Sequence, residues 1–462
     1  MTSSDTQYDL VISNGRVMDP ESGLDDIRNV GINGGTIQAI TAEELQGRQT
    51  IDAGGLIVAP GFIDLHSHGQ LQENYELQVK DGVTTALELE AGAADIDEFY
   101  DERGDKAAIN YGASVGHIPV RMKVMGAPEG LLPVGDAAHR AATEGEIAEM
   151  TSLIERGLQR GAIAVGFGLQ YTPGASRWEA LEMFRVAAKY GASCHVHIRG
   201  MGDGEPMNSY VAVEEVIAAS AITGAAGHVV HLNSSGIRAV PHLLQMIGGA
   251  QSRGIDVTTE CYPYTAALTG IESAIFDEGW QDILGIDHGN LEWTLTGERL
   301  TASTFAEFRE IGGMVIIHMM PDDTVQMAVA SPLTAIASDG FMLNGKGHPR
   351  SSGTYTRVLG VYVREKKALS LMEALRKMAL MPAQRLESLT PAMKNKGRVR
   401  VGADADLAIF DPSRVLDMAT YLEPTKQPEG MVHVIVNGVP VVEDGQLQVG
   451  ATPGRAVRAP FN

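Results

Sequence analysis

The sequence has few of the features that mark secreted or membrane proteins. Cysteine occurs twice among 462 residues, at Cys194 and Cys261. Two cysteines are too few for a disulfide framework, and they suit a reducing compartment. No run of eighteen apolar residues is present, and the first residues (MTSSDTQ) lack a basic segment followed by an apolar one. Neither a membrane span nor a signal peptide is therefore expected, and the sequence predicts a soluble cytoplasmic protein.

Positive charge is also scarce. The chain has 36 lysines and arginines against 58 aspartates and glutamates, which gives a net charge of −22. This excess argues against nucleic acid or an anionic membrane as a partner, because both would be repelled. A small anionic substrate held by a few local cations stays compatible with it. We expect a small-molecule substrate, and the sequence leaves open whether the chain forms a homo-oligomer.

Both ends of the chain have the pattern of short β-strands. Residues 8–57 alternate apolar segments with turns such as Asn14–Gly15, and the segments 406–411, 432–437 and 440–445 repeat that pattern. A turn of the Asn-Gly type between apolar segments is typical of a β-hairpin. Each piece is small for an independent core, so we predict that residues 1–57 and 398–462 combine into one small β-sandwich domain.

The middle of the chain, residues 58–397, alternates apolar strand-like segments with helical ones. Strand candidates are 83–89, 162–167, 193–198, 228–232, 256–262, 314–319 and 335–339, and helix candidates are 145–159, 178–190, 211–223 and 371–388. This alternation predicts an α/β fold, most simply a TIM-like (β/α)8 barrel, whose active site lies at the carboxyl ends of the strands. Residues 270–330 exceed a simple connection, and both a lid over the site and an inert insertion agree with that length.

Histidines and carboxylates occur where these strands end. His66 and His68 follow the apolar segment VAPGFIDL, and their spacing places both side chains on one face of a strand. Other strand ends carry the remaining members of this set: Glu88, Glu90, His195, His197, His231 and Asp339. Taken alone, each of them is also explained as a hydrogen-bonded residue of the core. Together they form the ligand chemistry for one or two divalent ions.

The order of these motifs resembles the metal-dependent amidohydrolase superfamily and, within it, the N-acyl-D-amino-acid deacylase (D-aminoacylase) family. The resemblance extends over nearly the whole chain. It rests on PGFIDLHSH (60–68), GVTT (82–85), GHIPVR (116–121), GLQYTPG (168–174), HIR (197–199), YPY (262–264), SDG (338–340), HPRSSGT (348–354) and GRVRVGADADLAIFD (397–411).

The resemblance implies a set of roles. His66, His68 and Asp339 would hold one metal position, His197 and His231 the other, with Zn²⁺ as the expected ion and Mn²⁺, Co²⁺ or Fe²⁺ as alternatives. Asp339 would also be the catalytic general base on the metal-bound water. Substrate contacts would come from Tyr171, Arg199, Asn233, Tyr262, Tyr264 and Arg350.

Two positions depart from the family pattern. The family has a metal-binding cysteine shortly after the valine-threonine-threonine motif, whereas this chain has LELEAG at 87–92. We predict that Glu90 replaces the thiolate, with Glu88 as the alternative, and oxygen in place of sulfur weakens the preference for Zn²⁺. Asn233 stands where the family has a lysine for the substrate carboxylate, which puts recognition of that group in question. Arg350, Arg199 and Arg121 are the remaining cationic candidates.

Three functions compete at this stage. The leading hypothesis is hydrolysis of the C–N amide bond of an N-acyl-D-amino acid or a related amide. The second is hydrolysis of a cyclic amide, imide or lactone by the same kind of centre. The third is a non-catalytic oligomeric scaffold, against which the presence of His66, His68, His197, His231 and Asp339 argues.

Overall fold

The computed structural model describes residues 7–128 and 130–461. Residues 1–6 and 462 lie outside the described residues. They belong to the predicted sandwich ranges, and residues 1–6 also to the segment considered as a signal peptide. Over the described ranges, the first five strands are β1 (Tyr8–Asp19), β2 (Leu24–Asn33), β3 (Thr36–Thr41), β4 (Gly47–Asp52) and β5 (Ile57–Pro60). Seven barrel strands follow: β6 (Phe62–Asp64), β7 (Val83–Ala93), β8 (Asn110–Gly116), β9 (Val165–Gly168), β10 (Ser193–His197), β11 (Ala226–Val229) and β12 (Val257–Cys261).

The remaining strands belong to three other sheets and to the last position of the barrel. They are β13 (Ala266–Gly270), β14 (Leu291–Trp293), β15 (Met314–His318), β16 (Thr334–Ile336), β17 (Met342–Leu343), β18 (Lys346–Gly347), β19 (Leu407–Phe410), β20 (Met431–Val436), β21 (Val439–Glu443) and β22 (Gln446–Leu447).

Helices connect the barrel strands. The α-helices are α1 (Gln72–Lys80), α2 (Ile96–Arg103), α3 (His117–Val124), α4 (Asp136–His139), α5 (Glu144–Gln159), α6 (Arg177–Tyr190), α7 (Ser209–Thr223), α8 (Leu232–Gly236), α9 (Val240–Gln251), α10 (Trp280–Leu284), α11 (Ala302–Ile311), α12 (Asp322–Ala330), α13 (Arg350–Arg357), α14 (Leu371–Leu375) and α15 (Met381–Leu386). Wider turns of π-helix continue α13 over Val358–Glu365 and join α14 to α15 over Arg376–Leu380. No helix in the described ranges is both long and apolar enough to cross a membrane.

Eight parallel strands form the barrel, in the order β16-β12-β11-β10-β9-β8-β7-β6. The two ends of this sheet meet through a parallel bridge between Ser67 and Gly340, just beyond β6 and β16. Burial of these strands on both faces explains their continuous apolar composition. The predicted (β/α)8 barrel is confirmed.

Strands from both chain ends form the second sheet, which is mostly antiparallel and has the order β22-β21-β20-β19-β5-β1-β2-β3, with β4 beside β1. The amino-terminal and carboxyl-terminal pieces join where β5 pairs with β19. They enclose a core of their own that includes Ile12, Val30, Leu407 and Ile435. We therefore propose that the two ends of the chain make up one domain, with β5 reaching Pro60.

Two strand assignments differ from expectation. The segment 314–319 was expected among the barrel strands but forms β15, which pairs antiparallel with β13 and β14 in a separate sheet. An apolar run such as MVIIH indicates a strand without indicating which sheet it joins. Barrel strand β8 was not predicted, because its sequence NYGASVG is rich in small residues with low strand propensity, although every residue in it is buried.

The insertion between β12 and β16 packs over the barrel mouth. Its residues Ile271, Phe276 and Trp280 share a hydrophobic cluster with Ile118 of α3 and with Tyr171. This contact places β13 and β15 above the carboxyl ends of the barrel strands. The location agrees with the lid alternative, and closure during turnover stays a prediction.

Candidate metal centre

His66 and His68 lie just after β6, with their rings edge to face and 4.8 Å between centroids. Their Nε2 atoms are 3.1 Å apart. Both Nε2 atoms also contact the same oxygen of Glu90, at 2.8 Å from His66 and 3.0 Å from His68. Asp339, which follows β16, approaches the pair with Oδ1 at 3.5 and 3.4 Å. These four side chains form the first group of candidate metal ligands.

Glu90 also belongs to the second group of candidate ligands, with His197 and His231. Its other oxygen, Oε1, lies 2.9 Å from Nδ1 of His197, the last residue of β10. The Nε2 atom of His231 lies 3.0 Å from the same His197 Nδ1. Glu90 therefore stands between the two groups and offers one oxygen to each.

The donor set fits divalent metal ions. In each group the nitrogen and oxygen donors lie within 4.8 Å of one another, as ligands of a shared ion must. Imidazole nitrogens and carboxylate oxygens are ligands that Zn²⁺, Mn²⁺, Co²⁺ and Fe²⁺ accept. Grouping so many ionisable side chains in a buried mouth is costly unless a charge of opposite sign compensates it.

Two of the candidate ligands have an unusual backbone. His231 has φ of 33° and Asp339 has φ of 52°, in the left-handed region that residues other than glycine rarely adopt. Such conformations cost on the order of 1–3 kcal/mol each and concentrate at functional sites. Here they lie just beyond β11 and β16, where they turn the two side chains into the barrel mouth.

The carboxylates and imidazoles shift one another's pKa. Burial lowers the pKa of His66, but Asp339, Glu260 and Glu90 outweigh it and raise the value to about 10. Burial raises the pKa of Asp339, yet the charges of Arg350 and His66 hold it below its ordinary value. A proton and a divalent cation therefore compete for Nε2 of His66.

His231 differs from the strand-one pair. Burial and the neighbouring His197 lower the pKa of His231 to about 3. Its imidazole is therefore neutral at physiological pH and has a free lone pair to offer. The hydroxyls of Ser234 and Ser235 lie 3.0 and 3.2 Å from Nδ1 of His231 and orient the ring.

Glu88 and Glu90 have different positions. Glu88 contacts Nδ1 of His68 at 2.9 Å and accepts a hydrogen bond from the backbone N–H of Ala91 at 3.1 Å. It therefore lies on the far side of the His68 ring from the ligand atoms. Of the two glutamates, Glu90 is the one that belongs to both candidate ligand groups.

Two of the expected substrate contacts line the cavity above the candidate ligands. Tyr171 packs its ring edge-on against His197, with 4.7 Å between centroids, and its hydroxyl lies 3.0 Å from Thr269 Oγ1. Arg350 is buried, donates to Oδ2 of Asp339 at 2.9 Å, and keeps Nε and Nη1 without a hydrogen-bond partner. Among the described residues that line this cavity, Arg350 is the only lysine or arginine.

Arg199 is not brought to the cavity. Its guanidinium donates to the carboxylate of Glu215 at 3.1 and 3.0 Å and to the backbone oxygen of Ala175 at 2.7 Å. An arginine is long enough to turn away from the strand end that carries it. The sequence alone does not show which way it turns.

Asn233, Tyr262 and Tyr264 are also absent from the described lining of the cavity. The amide of Asn233 donates to the backbone oxygen of Tyr262 at 3.1 Å and accepts from its N–H at 3.3 Å. The ring of Tyr262 in turn lies under the guanidinium of Arg350, 4.6 Å away. Tyr264 donates to Asp417 at 3.3 Å. These residues support the wall of the site and do not face its interior.

The sequence analysis assigned no role to Glu260 or to His228. Both line the barrel interior below the candidate ligands, and Glu260 Oε1 contacts Nδ1 of His66 at 2.6 Å. Their positions on β12 and β11, each ending near the site, were the available signal.

Comparison with known proteins agrees with this geometry. Residues 49–442 match the sequence profile of the amidohydrolase family. The chain belongs to that family. This amidohydrolase is 30% identical to N-acyl-D-glutamate deacylase of Alcaligenes xylosoxydans xylosoxydans, over 98% of the chain and 97% of the relative. It is 29% identical to D-aminoacylase of the same organism, over 99% of each.

Among solved structures, this amidohydrolase superposes on N-acyl-D-glutamate deacylase from Bordetella bronchiseptica with a TM-score of 0.84 and 27% identity, covering 98% of the chain and 100% of that structure. That enzyme is complexed with zinc and a phosphonate inhibitor that mimics the tetrahedral intermediate. The resemblance inferred from the motifs is confirmed.

Proposed function

We propose that this amidohydrolase is a metal-dependent N-acyl-D-amino-acid deacylase. The observation that carries the proposal is the position of Glu90, one carboxylate between His66, His68 and Asp339 on one side and His197 and His231 on the other. The similarity to N-acyl-D-glutamate deacylase and to D-aminoacylase supports the same reaction class. The nitrogen and oxygen donors support Zn²⁺ as the ion, with Mn²⁺, Co²⁺ and Fe²⁺ also accommodated by such ligands.

Asp339 is the proposed general base. When bound, a divalent cation would supply an activated water and a positive charge beside the scissile carbonyl. Arg350 holds Oδ2 of Asp339 at 2.9 Å, and Oδ1 faces the two strand-one histidines. The lowered pKa keeps this carboxylate ionised at neutral pH. Asp339 can then take a proton from the attacking water and deliver it to the leaving nitrogen.

Tyr171 is the proposed donor to the scissile carbonyl oxygen. Its ring packs against His197 at the cavity wall, and its hydroxyl lies 3.0 Å from Thr269 Oγ1. Burial raises the pKa of Tyr171 above its ordinary value, so the phenol stays protonated and can donate a hydrogen bond. A donor already in place where negative charge develops stabilises the tetrahedral transition state.

Arg350 is the proposed contact for the substrate carboxylate. Its Nε and Nη1 are buried without a partner, so each keeps the capacity to donate a hydrogen bond to an anion. Asn233 does not replace the missing lysine, because both ends of its amide bond to the backbone of Tyr262. One arginine would therefore provide the cationic contact in the described part of the cavity.

The remaining wall of the cavity favours an apolar side chain on the amino acid. It includes Ile118, Leu132, Met201, Leu268, Ile317 and Met319. A second carboxylate, as in N-acyl-D-glutamate or N-acyl-D-aspartate, would be desolvated against these groups without a cation of its own, which is costly. We therefore expect the D-leucine or D-methionine type of substrate.

The proposed reaction takes place on small molecules in the cytoplasm. Cys194 and Cys261 are buried free thiols, which supports a reducing compartment.

A substrate panel tests the proposal. Zn²⁺-loaded protein is assayed for amine release from N-acetyl-D-methionine, N-acetyl-D-leucine, their L-enantiomers, N-acetyl-D-glutamate and N-acetyl-D-aspartate, and for ring opening of hydantoin and dihydrouracil. We expect the highest kcat/KM on the two apolar D-substrates. Ring opening without turnover of any N-acetyl amino acid would contradict the proposed reaction, and a preference for D-glutamate would contradict the apolar specificity alone.

A further inference from the structure

Glu260 is a carboxylate held between two imidazoles in the interior of the barrel. It lies on β12 with 1% of its surface exposed. Its Oε1 accepts from Nδ1 of His66 at 2.6 Å, and its Oε2 accepts from Nε2 of His228 at 3.1 Å. A buried carboxylate is tolerated only where partners satisfy its charge, and here both oxygens have one.

The contact with Glu260 fixes the chemical form of His66. When the ring loses a proton to bind a metal ion, the Glu260 carboxylate keeps the remaining proton on Nδ1 and leaves the lone pair on Nε2. Nε2 is the atom that faces Glu90 and His68 in the candidate ligand group. A carboxylate behind a ligand histidine sets its tautomer, orients its ring and increases its basicity.

His228 fixes Glu260 in the same way. In the neutral ring, Nε2–H donates to Glu260, and Nδ1 accepts from the hydroxyl of Thr258, 2.7 Å away. Thr258 also accepts from Arg385 at 3.3 Å, and Arg385 forms a bidentate ion pair with Asp256 at 2.6 and 2.9 Å. The chain of hydrogen bonds thus runs from the candidate ligand His66 to an ion pair at the opposite end of the barrel.

We propose that Glu260 is a positioning residue for the metal centre, acting through His66, and that His228 acts through Glu260. The inference rests on the metal centre of the proposed function and not on the identity of the substrate. According to this inference, Glu260 and His228 contribute to the affinity for the ion that His66 would bind.

The test compares two glutamates that each contact a histidine. Glu260→Gln keeps the shape of the side chain and removes its charge. Glu292→Gln is the matched control, because Glu292 contacts Nε2 of His318 at 3.0 Å in the insertion and is not among the described cavity residues. The affinity of the metal-free full-length variants for Zn²⁺ alone is measured by competition with a chromophoric chelator, and folding is checked by circular dichroism and thermal unfolding.

We expect Glu260→Gln to weaken Zn²⁺ binding by about 10- to 100-fold, the effect typical of losing a partner behind a ligand histidine. Glu292→Gln should leave it within about threefold. His228→Gln, which keeps a donor toward Glu260 but alters its position, should give a smaller loss in the same direction.

Two results would overturn the inference. One is Zn²⁺ affinity of folded Glu260→Gln within threefold of the parent chain, and the other is an equal loss in Glu292→Gln. If Glu260→Gln does not fold, His228→Gln decides in its place, and unchanged affinity there overturns the inference. Because Zn²⁺ binding is measured without substrate, failure of the substrate panel would leave this result standing.

Discussion

Removing Glu90 should deprive the protein of metal far more than removing Glu88. The two residues are two positions apart on β7, and both side chains are nearly buried, with 4% and 7% of their surfaces exposed. Replacement of either by alanine therefore creates a similar void. They differ in contacts: Glu90 meets three imidazoles of both ligand groups, whereas Glu88 meets one, His68.

These contacts set the expected magnitudes. Glu88 acts behind His68, and loss of such a partner weakens metal binding by about 10- to 100-fold. Glu90 would supply a ligand oxygen to each position, so Glu90→Ala should weaken binding beyond that range. At micromolar protein dialysed against metal-free buffer, the parent chain and Glu88→Ala should retain more metal than Glu90→Ala.

The assay is elemental analysis of the dialysed proteins, expressed as ions per chain, together with chelator competition. Glu90→Gln separates the charge of the residue from its volume and should resemble Glu90→Ala. Equal metal content in the two alanine variants, or greater loss in Glu88→Ala, would refute the assignment of Glu90 as the shared ligand.

Four further outcomes follow from the same geometry. Asp339→Asn should lower kcat by about 10²- to 10⁴-fold in steady-state assays, because the proton acceptor is lost, and near-normal turnover would contradict its role. Arg350→Met should lower kcat/KM by about 10- to 100-fold, since hydrogen bonds to charged groups contribute about 1.5–3 kcal/mol, while Arg199→Met should leave KM nearly unchanged. Zn²⁺ affinity should rise by about tenfold per pH unit from pH 6 to 8 for each proton that the ion displaces. The reason is that a pKa of about 10 leaves metal-free His66 protonated over this pH range. An affinity that does not change with pH in competition titrations would contradict this. Phe184→Ala removes a buried ring that packs against Phe167 of β9, and it should lower the free energy of unfolding by about 3–5 kcal/mol in denaturant titrations.

The barrel was predictable because its strands and helices have strong local patterns. The helix predicted over 145–159 forms as α5, Glu144–Gln159, and that predicted over 178–190 forms as α6, Arg177–Tyr190. Apolar periodicity and capping residues determine such segments locally. Strand β8 was not predicted, because the small residues that fit the crowded barrel interior form no recognisable strand pattern.

The residues that form the candidate site were predictable from the sequence, but the hydrogen-bond partners that orient the surrounding side chains were not. Strand alternation predicted that the rings of His66 and His68 point the same way. Both rings do reach the same oxygen of Glu90, although the two residues lie just beyond β6. The direction of Arg199 depends instead on Glu215, sixteen residues later, and that of Asn233 on the backbone of Tyr262. Partners distant along the chain decide where a long side chain turns.

The role of Glu260 could not be read from the sequence for the same reason. Its partners are His66, just after β6, and His228, on β11, which are 194 and 32 residues away along the chain. Only closure of the barrel brings the three together.

An anomalous diffraction map at the zinc absorption edge, from crystals of the Zn²⁺-loaded protein, tests the metal centre most directly. We predict a peak about 2.0–2.2 Å from an oxygen of Glu90, flanked by His66, His68 and Asp339 or by His197 and His231. A peak that Glu90 does not touch, or no peak at the barrel mouth of the loaded protein, would contradict the assignment.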